Sequence, residues 1–129
     1  WLATALLFVL VMWLSTVPKV LTGEAADAKV SAVQQSFITA EAFPKVRDTV
    51  LGRCAMCHAK EPGWEGMVVP PKGVVLETDG DIANHAREIY LQAGRSHAMP
   101  PANVTQVSDE ERKLFVAWYE SAVNGEKTQ

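Results

Sequence analysis

The sequence predicts an all-α protein, and three observations support this. Apolar residues recur at helical spacing in three stretches from residue 43 onward, each bounded by residues typical of helix ends. No stretch alternates apolar and polar residues as a half-buried strand does. A continuous apolar stretch stands at the front. We therefore predict a transmembrane helix over 1–21, a linker over 22–42 and a helical domain over 43–129.

The first stretch is apolar on every helix face. Residues 1–17 carry no charge, and as a helix they would be about 25 Å long. The apolar core of a bilayer is about 30 Å thick, so the helix would extend to residue 21, with Lys19 reaching the interface. A secretory signal peptide and a buried helix are the alternatives, although no basic leader precedes the stretch.

The next segment, 22–42, is small, polar and rich in alanine. It carries no clear apolar stripe. We expect it to act as a tether between the membrane helix and the domain.

The first two domain helices are legible from their ends. Pro44 suits the first turn of a helix that runs toward Cys54. Thr78 is a plausible N-cap for a second helix over 79–93, and Gly94 is typical of a helix end.

The third helix opens with a capping-box pattern, Ser108 to Glu111, and ends near Asn124-Gly125. Between the helices lie two long irregular stretches, 59–77 and 94–107, which contain most of the prolines. Loops this long are uncommon in a compact domain of under about 90 residues. They predict that the chain wraps a large apolar group, which supplies core that so short a chain lacks.

The segment Cys54-Ala55-Met56-Cys57-His58 carries the strongest chemical signal. Two thiols three positions apart near a helical turn can each form a thioether to one porphyrin, and the following imidazole can reach the iron. C-x-x-C-H is the attachment pattern of haem c, so we expect one covalent haem c, with His58 as the proximal iron ligand. A redox dithiol would need a βαβ context, and a zinc site would need about four ligands.

Met99 is the candidate distal iron ligand, in the proline-stiffened segment Ala98-Met99-Pro100-Pro101. A thioether ligand raises the reduction potential relative to a second histidine. His97 and an open coordination site are the alternatives. The other ring nitrogen of His58 should donate to a backbone carbonyl, and we expect that carbonyl at Pro70 or Pro71.

Charge argues against one class of partner. The chain has 12 basic and 15 acidic residues, a formal charge of −3, so a phosphate-binding surface or nucleic-acid partner is not expected.

Residues 43–125 resemble a class I, mono-haem cytochrome c, with Cys54, Cys57, His58 and Met99 matching the family's haem-binding residues in order. The resemblance implies three main helices and long loops around one haem c. The segments VRDTVLGRCAMCHAKEP, PKGVVLET, HAREIYLQAGRSHAMPPANVT and DEERKLFVAWYESA are similar to the C-terminal cytochrome domain of the bacterial membrane-bound urate oxidases. In that family a multi-helix membrane region precedes the cytochrome, and 1–17 would be its last helix.

These features lead us to expect a membrane-tethered carrier of single electrons. The resemblance implies that electrons enter from an upstream membrane oxidase module and leave to a soluble cytochrome c or a terminal oxidase. A free-standing membrane-anchored cytochrome that shuttles electrons between respiratory complexes is the alternative. The resemblance also implies a parent enzyme that converts urate to 5-hydroxyisourate, whose catalytic residues lie outside this chain. A gas sensor, in which a small ligand displaces Met99, is a further alternative.

Haem c is attached outside the cytoplasm. We therefore expect the protein in the bacterial inner membrane, with the cytochrome domain facing the periplasm.

Overall fold

The computed structural model describes residues 1–13 and 31–126. These residues are mostly helical and contain no strand, which confirms the all-α prediction for this part of the chain. The chain divides into two compact units, 1–31 and 32–129.

The first unit contains helix α1 over residues 2–13, whose large apolar side chains are exposed. Within 1–13 and 31–126, no helix has both the length and the apolar character needed to cross a bilayer. The predicted transmembrane helix over 1–21 includes residues 14–21, which lie outside the described ones.

The second unit begins earlier than residue 43, the boundary expected from the sequence. Helix α2, Ala32–Thr39, packs on the core through Phe37, which is 6% exposed. The expected linker over 22–42 therefore differs from the structure in its last part, and residues 22–30 lie outside the described ones. Phe37 is the only buried residue of α2, with Ile38 partly buried beside it, so the segment shows no clear apolar stripe.

Helix α3, Phe43–Arg53, has Pro44 in its first turn, as predicted. Val46 and Val50 are fully buried on its inner face. After a break at Cys54 the chain forms one further turn, α4, Ala55–His58.

The predicted single helix over 79–93 is in fact three short pieces. They are α5, Asp79–Asn84, then α6, Ala86–Glu88, then a π-helical segment, Ile89–Arg95. The Thr78 hydroxyl accepts from the Asp81 amide at 3.1 Å and the Asp81 carboxylate accepts from the Thr78 amide at 3.0 Å, so the predicted N-cap is confirmed as a full capping box.

Gly94 does not end this region, because the π-helical segment continues through Arg95. A Cβ placed on Gly94 would lie only 3.0 Å from Val116 Cγ2 on the next long helix. The glycine therefore permits a close crossing of two helices.

Helix α7, Asp109–Glu126, starts at the predicted capping box: the Ser108 amide donates to Glu111 Oε2 at 2.7 Å, and the Glu111 amide donates to Ser108 Oγ at 3.2 Å. This helix packs against α2, α3 and the π-helical segment. The buried apolar side chains of these elements form one core together with residues of α5, α6 and the adjoining loops. The core consists of Phe37, Phe43, Val46, Val50, Leu76, Ile82, Ala83, Ala86, Ile89, Ala93, Val107, Phe115, Trp118 and Ala122.

Candidate haem c site

The junction of α3 and α4 holds three of the four predicted haem-binding residues in one tight turn. The amides of Cys57 and His58 donate to the Cys54 carbonyl, at 3.1 and 2.9 Å. The Cys54 amide in turn donates to Val50 at the end of α3, at 2.8 Å. Both cysteines are free thiols and half-buried. The buried helix α3 therefore fixes the position from which the two sulfurs and the imidazole project.

The His58 ring is anchored as predicted, but by a different carbonyl. Nδ1 lies 3.0 Å from the Val74 oxygen, and the His58 carbonyl accepts from the Leu76 amide at 2.7 Å. A carbonyl partner requires the proton on Nδ1, which leaves Nε2 as the nitrogen able to bind a metal.

The predicted acceptors, Pro70 and Pro71, are incorrect because of how the loop turns. Residues Pro71–Gly73 form a 3₁₀ turn in which Lys72 and Gly73 have positive φ, 56° and 70°. The chain reverses at this turn, and the residue that follows it, Val74, is the one whose carbonyl reaches the ring.

The electrostatics of Cys54 favour a thiol over a thiolate. Burial, and to a smaller extent the nearby Cys57 and Glu111, together raise the pKa of Cys54 to about 12. A reactive dithiol or a zinc thiolate depends on a lowered thiol pKa. In the part of the chain that the structure describes, no three His, Cys, Asp or Glu side chains form a group able to hold a metal ion. The dithiol and zinc alternatives thus find no support in these residues.

Met99 lies in the irregular stretch that follows the π-helical segment, and its backbone is fixed on both sides. Its amide donates to the Gln92 carbonyl at 2.9 Å, and its carbonyl accepts from Arg112 Nη1 at 2.9 Å. The side chain is 37% exposed.

Arg112 was missed as a site residue in the sequence. Its side chain is only 5% exposed, and besides Met99 it donates to the Ala93 carbonyl at 2.6 Å and to Asn103 Oδ1 at 3.0 Å. One signal was present: Arg112 shares the helical register of Phe115, a fully buried residue of α7. The arginine therefore belongs to the inner face of the helix.

Arg53, next to Cys54, reaches the same end of α7. Its Nε donates to Glu111 Oε1 at 3.1 Å and its Nη1 to the Thr105 carbonyl at 3.0 Å. Glu111 precedes Arg112 directly, so the cysteine turn and the Met99 stretch are both fastened to the first turn of α7. In this way the structure connects the two halves of the predicted site.

Most of the exposed large apolar side chains of the second unit lie close along the chain to the predicted haem-binding residues. Apart from Val33, the exposed large apolar residues described from Ala32 onward all belong to α4 or to the stretches 59–77 and 94–107: Met56, Trp64, Val68, Val69, Met99 and Val104. Apolar surface of this extent in two loops fits a chain that covers a large apolar group such as a porphyrin.

His97 and His85, the remaining histidines, have other surroundings. His97 is exposed, with φ 57°, and lines an open groove of about 600 Å³ with Lys113 and Glu120, to which Cys54, Cys57 and His58 do not contribute. His85 Nδ1 lies 2.9 Å from the Asp81 carbonyl.

Comparison of the chain with models of known families, with curated proteins and with solved structures found no match.

Proposed function

We propose that this protein is a c-type cytochrome that transfers single electrons. The observation that supports this best is the single turn formed by Cys54, Cys57 and His58, with His58 Nδ1 bonded to the Val74 carbonyl. That turn offers two thiols and a correctly oriented imidazole from one rigid helix end.

Each residue has a distinct task in this proposal. Cys54 and Cys57 would hold the group covalently, His58 would offer Nε2 to the iron, and Met99 would offer a thioether from the stretch 94–107. When bound, haem c supplies a reversible one-electron change at its iron. With His58 and Met99 both bound to the iron, no coordination position would remain for a substrate, which favours electron transfer over catalysis at the metal.

The two long loops keep water from the bound group. Trp64, Val68, Val69 and Val104 offer apolar surface that is otherwise in contact with solvent. Covering a porphyrin with these side chains is favourable by about 25 cal/mol for each Å² removed from water. A drier surrounding also helps a neutral thioether to hold the iron, because it lowers the local dielectric constant.

We further propose that the domain is tethered to the bacterial inner membrane, faces the periplasm and forms the electron-accepting C-terminal part of a membrane-bound urate oxidase. The apolar stretch over 1–17 and the sequence resemblance support this setting. A free-standing membrane-anchored cytochrome is the alternative. An upstream membrane oxidase module would donate the electrons, and a soluble cytochrome c or a terminal oxidase would accept them.

The decisive experiment is expression in a host that attaches haem c, followed by mass spectrometry of the intact product. We expect one added haem mass and a pyridine haemochrome spectrum typical of two thioethers. The variant Cys54→Ser, Cys57→Ser should carry no covalent haem. A wild-type product with only the apoprotein mass would refute the proposal.

The distal ligand is tested in the same preparation. We expect Met99→Ala to lose the weak far-red absorption band of a sulfur–iron(III) bond, while the matched variant His97→Ala keeps it. Persistence of the band in Met99→Ala would exclude Met99.

The enzyme context needs the complete gene product. Haem reduction on adding urate is expected if the parent protein is a urate oxidase. Its absence would refute that setting and leave the electron carrier intact.

A further inference from the structure

Arg112 is a buried cation whose hydrogen-bond partners are all neutral. Its side chain is 5% exposed, and it donates to the carbonyls of Ala93 and Met99 and to the amide oxygen of Asn103. Among residues 1–13 and 31–126, no carboxylate lies within ion-pair distance of it. Burying a charge costs free energy unless it is well bonded, so a role beyond packing is needed to account for an arginine here.

The three acceptors span the stretch 94–107 from one side to the other. Ala93 lies just before this stretch and Met99 lies near its middle. Asn103 lies toward its end, where its side chain accepts from the Val107 amide at 2.9 Å and donates to the Val107 carbonyl at 3.1 Å. The planar, rigid guanidinium therefore fixes three points of one loop relative to α7.

The Met99 backbone is held on both sides. Its carbonyl is held by Arg112, and its amide is held by Gln92, so the peptide groups on both sides of its Cα are bonded. A side chain carried on such a backbone is confined to few positions, whereas a loop free to swing could withdraw it.

From this network we propose that Arg112 is a positioning residue that keeps Met99 on the haem iron and thereby excludes external ligands. The inference depends on the proposed function, since it concerns the distal ligand of that site. Arg112 acts through the Met99 carbonyl and Asn103, and it does not itself touch the iron.

Imidazole binding to the ferric holoprotein, followed by absorption, tests this proposal. Imidazole binds only the fraction of molecules in which Met99 has left the iron, so its apparent affinity reports that fraction directly. We expect Arg112→Gln to raise the affinity about tenfold or more, because a charge-assisted bond to the Met99 carbonyl is lost. Arg112→Lys, which keeps the charge and a single donor nitrogen, should restore part of the wild-type affinity.

Two further variants separate positioning from general stability. Asn103→Gly removes one of the three acceptors of Arg112, and glycine tolerates the positive φ of 53° at that position. This variant should raise the imidazole affinity less than Arg112→Gln does. Phe37→Leu weakens the core on α2, away from the loop's bonds, and should lower the melting temperature without changing the affinity.

The result that overturns the proposal is an imidazole affinity that stays at the wild-type value in Arg112→Gln, or that rises equally in Phe37→Leu. If Arg112→Gln does not fold, wild-type affinity in both Arg112→Lys and Asn103→Gly overturns it. A wild-type product without covalent haem would instead refute the proposed function, so the two failures are distinguishable.

Discussion

Replacing Phe37 by alanine tests whether α2 belongs to the folded domain. The Phe37 side chain is 6% exposed, and its ring lies 5.3 Å from that of Trp118 and 5.5 Å from that of Tyr119. Deleting a buried phenylalanine side chain costs about 3–5 kcal/mol, and each aromatic pair accounts for about 0.5–1.5 kcal/mol beyond its buried area. We expect Phe37→Ala to reduce the free energy of unfolding by about 4 kcal/mol, a large share of the 5–15 kcal/mol typical of a domain.

Guanidinium denaturation of the holoprotein, followed by far-ultraviolet circular dichroism, measures this loss. The matched control is Val33→Ala on the same helix, where the side chain is 48% exposed, and its effect should stay within about 0.5 kcal/mol. The hydrogen bond from Trp118 Nε1 to the Phe37 carbonyl, at 3.0 Å, involves the backbone and survives the substitution. If Phe37→Ala costs no more than Val33→Ala, α2 does not contribute to the fold and the reasoning is refuted.

Three further experiments test local structure by the same denaturation assay. Thr78→Ala removes the N-cap of α5 and should cost about 1 kcal/mol; an unchanged midpoint would contradict the capping box. Gly94→Ala should destabilise the fold by about 1–3 kcal/mol, because its Cβ would lie 3.0 Å from a side-chain carbon of α7. The control Gly80→Ala, whose Cβ has only a 3.8 Å contact, should be neutral or stabilising. Equal effects of the two substitutions would refute the close crossing. A double-mutant cycle on Arg53 and Glu111 should give a coupling of about 0.5–1 kcal/mol, since both side chains are partly exposed, and a coupling of zero would show that this pair does not fasten the cysteine turn to α7.

The helices that the sequence predicts well are those with local signals at their ends. The Thr78 cap and the Ser108 capping box are encoded within four residues, so both were found. Helix α2 has only one buried residue, Phe37, with Ile38 partly buried beside it, and this is too little apolar periodicity to predict a packed helix. The π-helical segment is not predicted either, because the apolar pattern of 79–93 does not indicate to which carbonyl each backbone amide donates its hydrogen bond.

The candidate site likewise has one part that local sequence predicts and another that depends on the tertiary fold. The turn of Cys54 to His58 is local and could be read from spacing alone. The carbonyl that anchors His58 depends on the path of a long loop, so the sequence suggested prolines and the structure has Val74. Arg112 is charged, which suggests an exposed residue, and only its register with the buried face of α7 indicated otherwise.

The competing functions differ in how firmly Met99 is held. A gas sensor needs a distal ligand that leaves the iron readily, while an electron carrier benefits from one that stays, because an unchanged coordination shell needs little rearrangement when the iron gains or loses an electron. In this protein Met99 has its amide and its carbonyl bonded to Gln92 and Arg112, and the arginine is buried and bonded to two further points of the same loop. Releasing Met99 by moving its backbone would therefore break its bonds to Gln92 and Arg112 and deprive a buried cation of one of its three acceptors, which costs free energy. This energetic argument favours a carrier over a sensor, and rapid binding of carbon monoxide to the ferrous protein would contradict it.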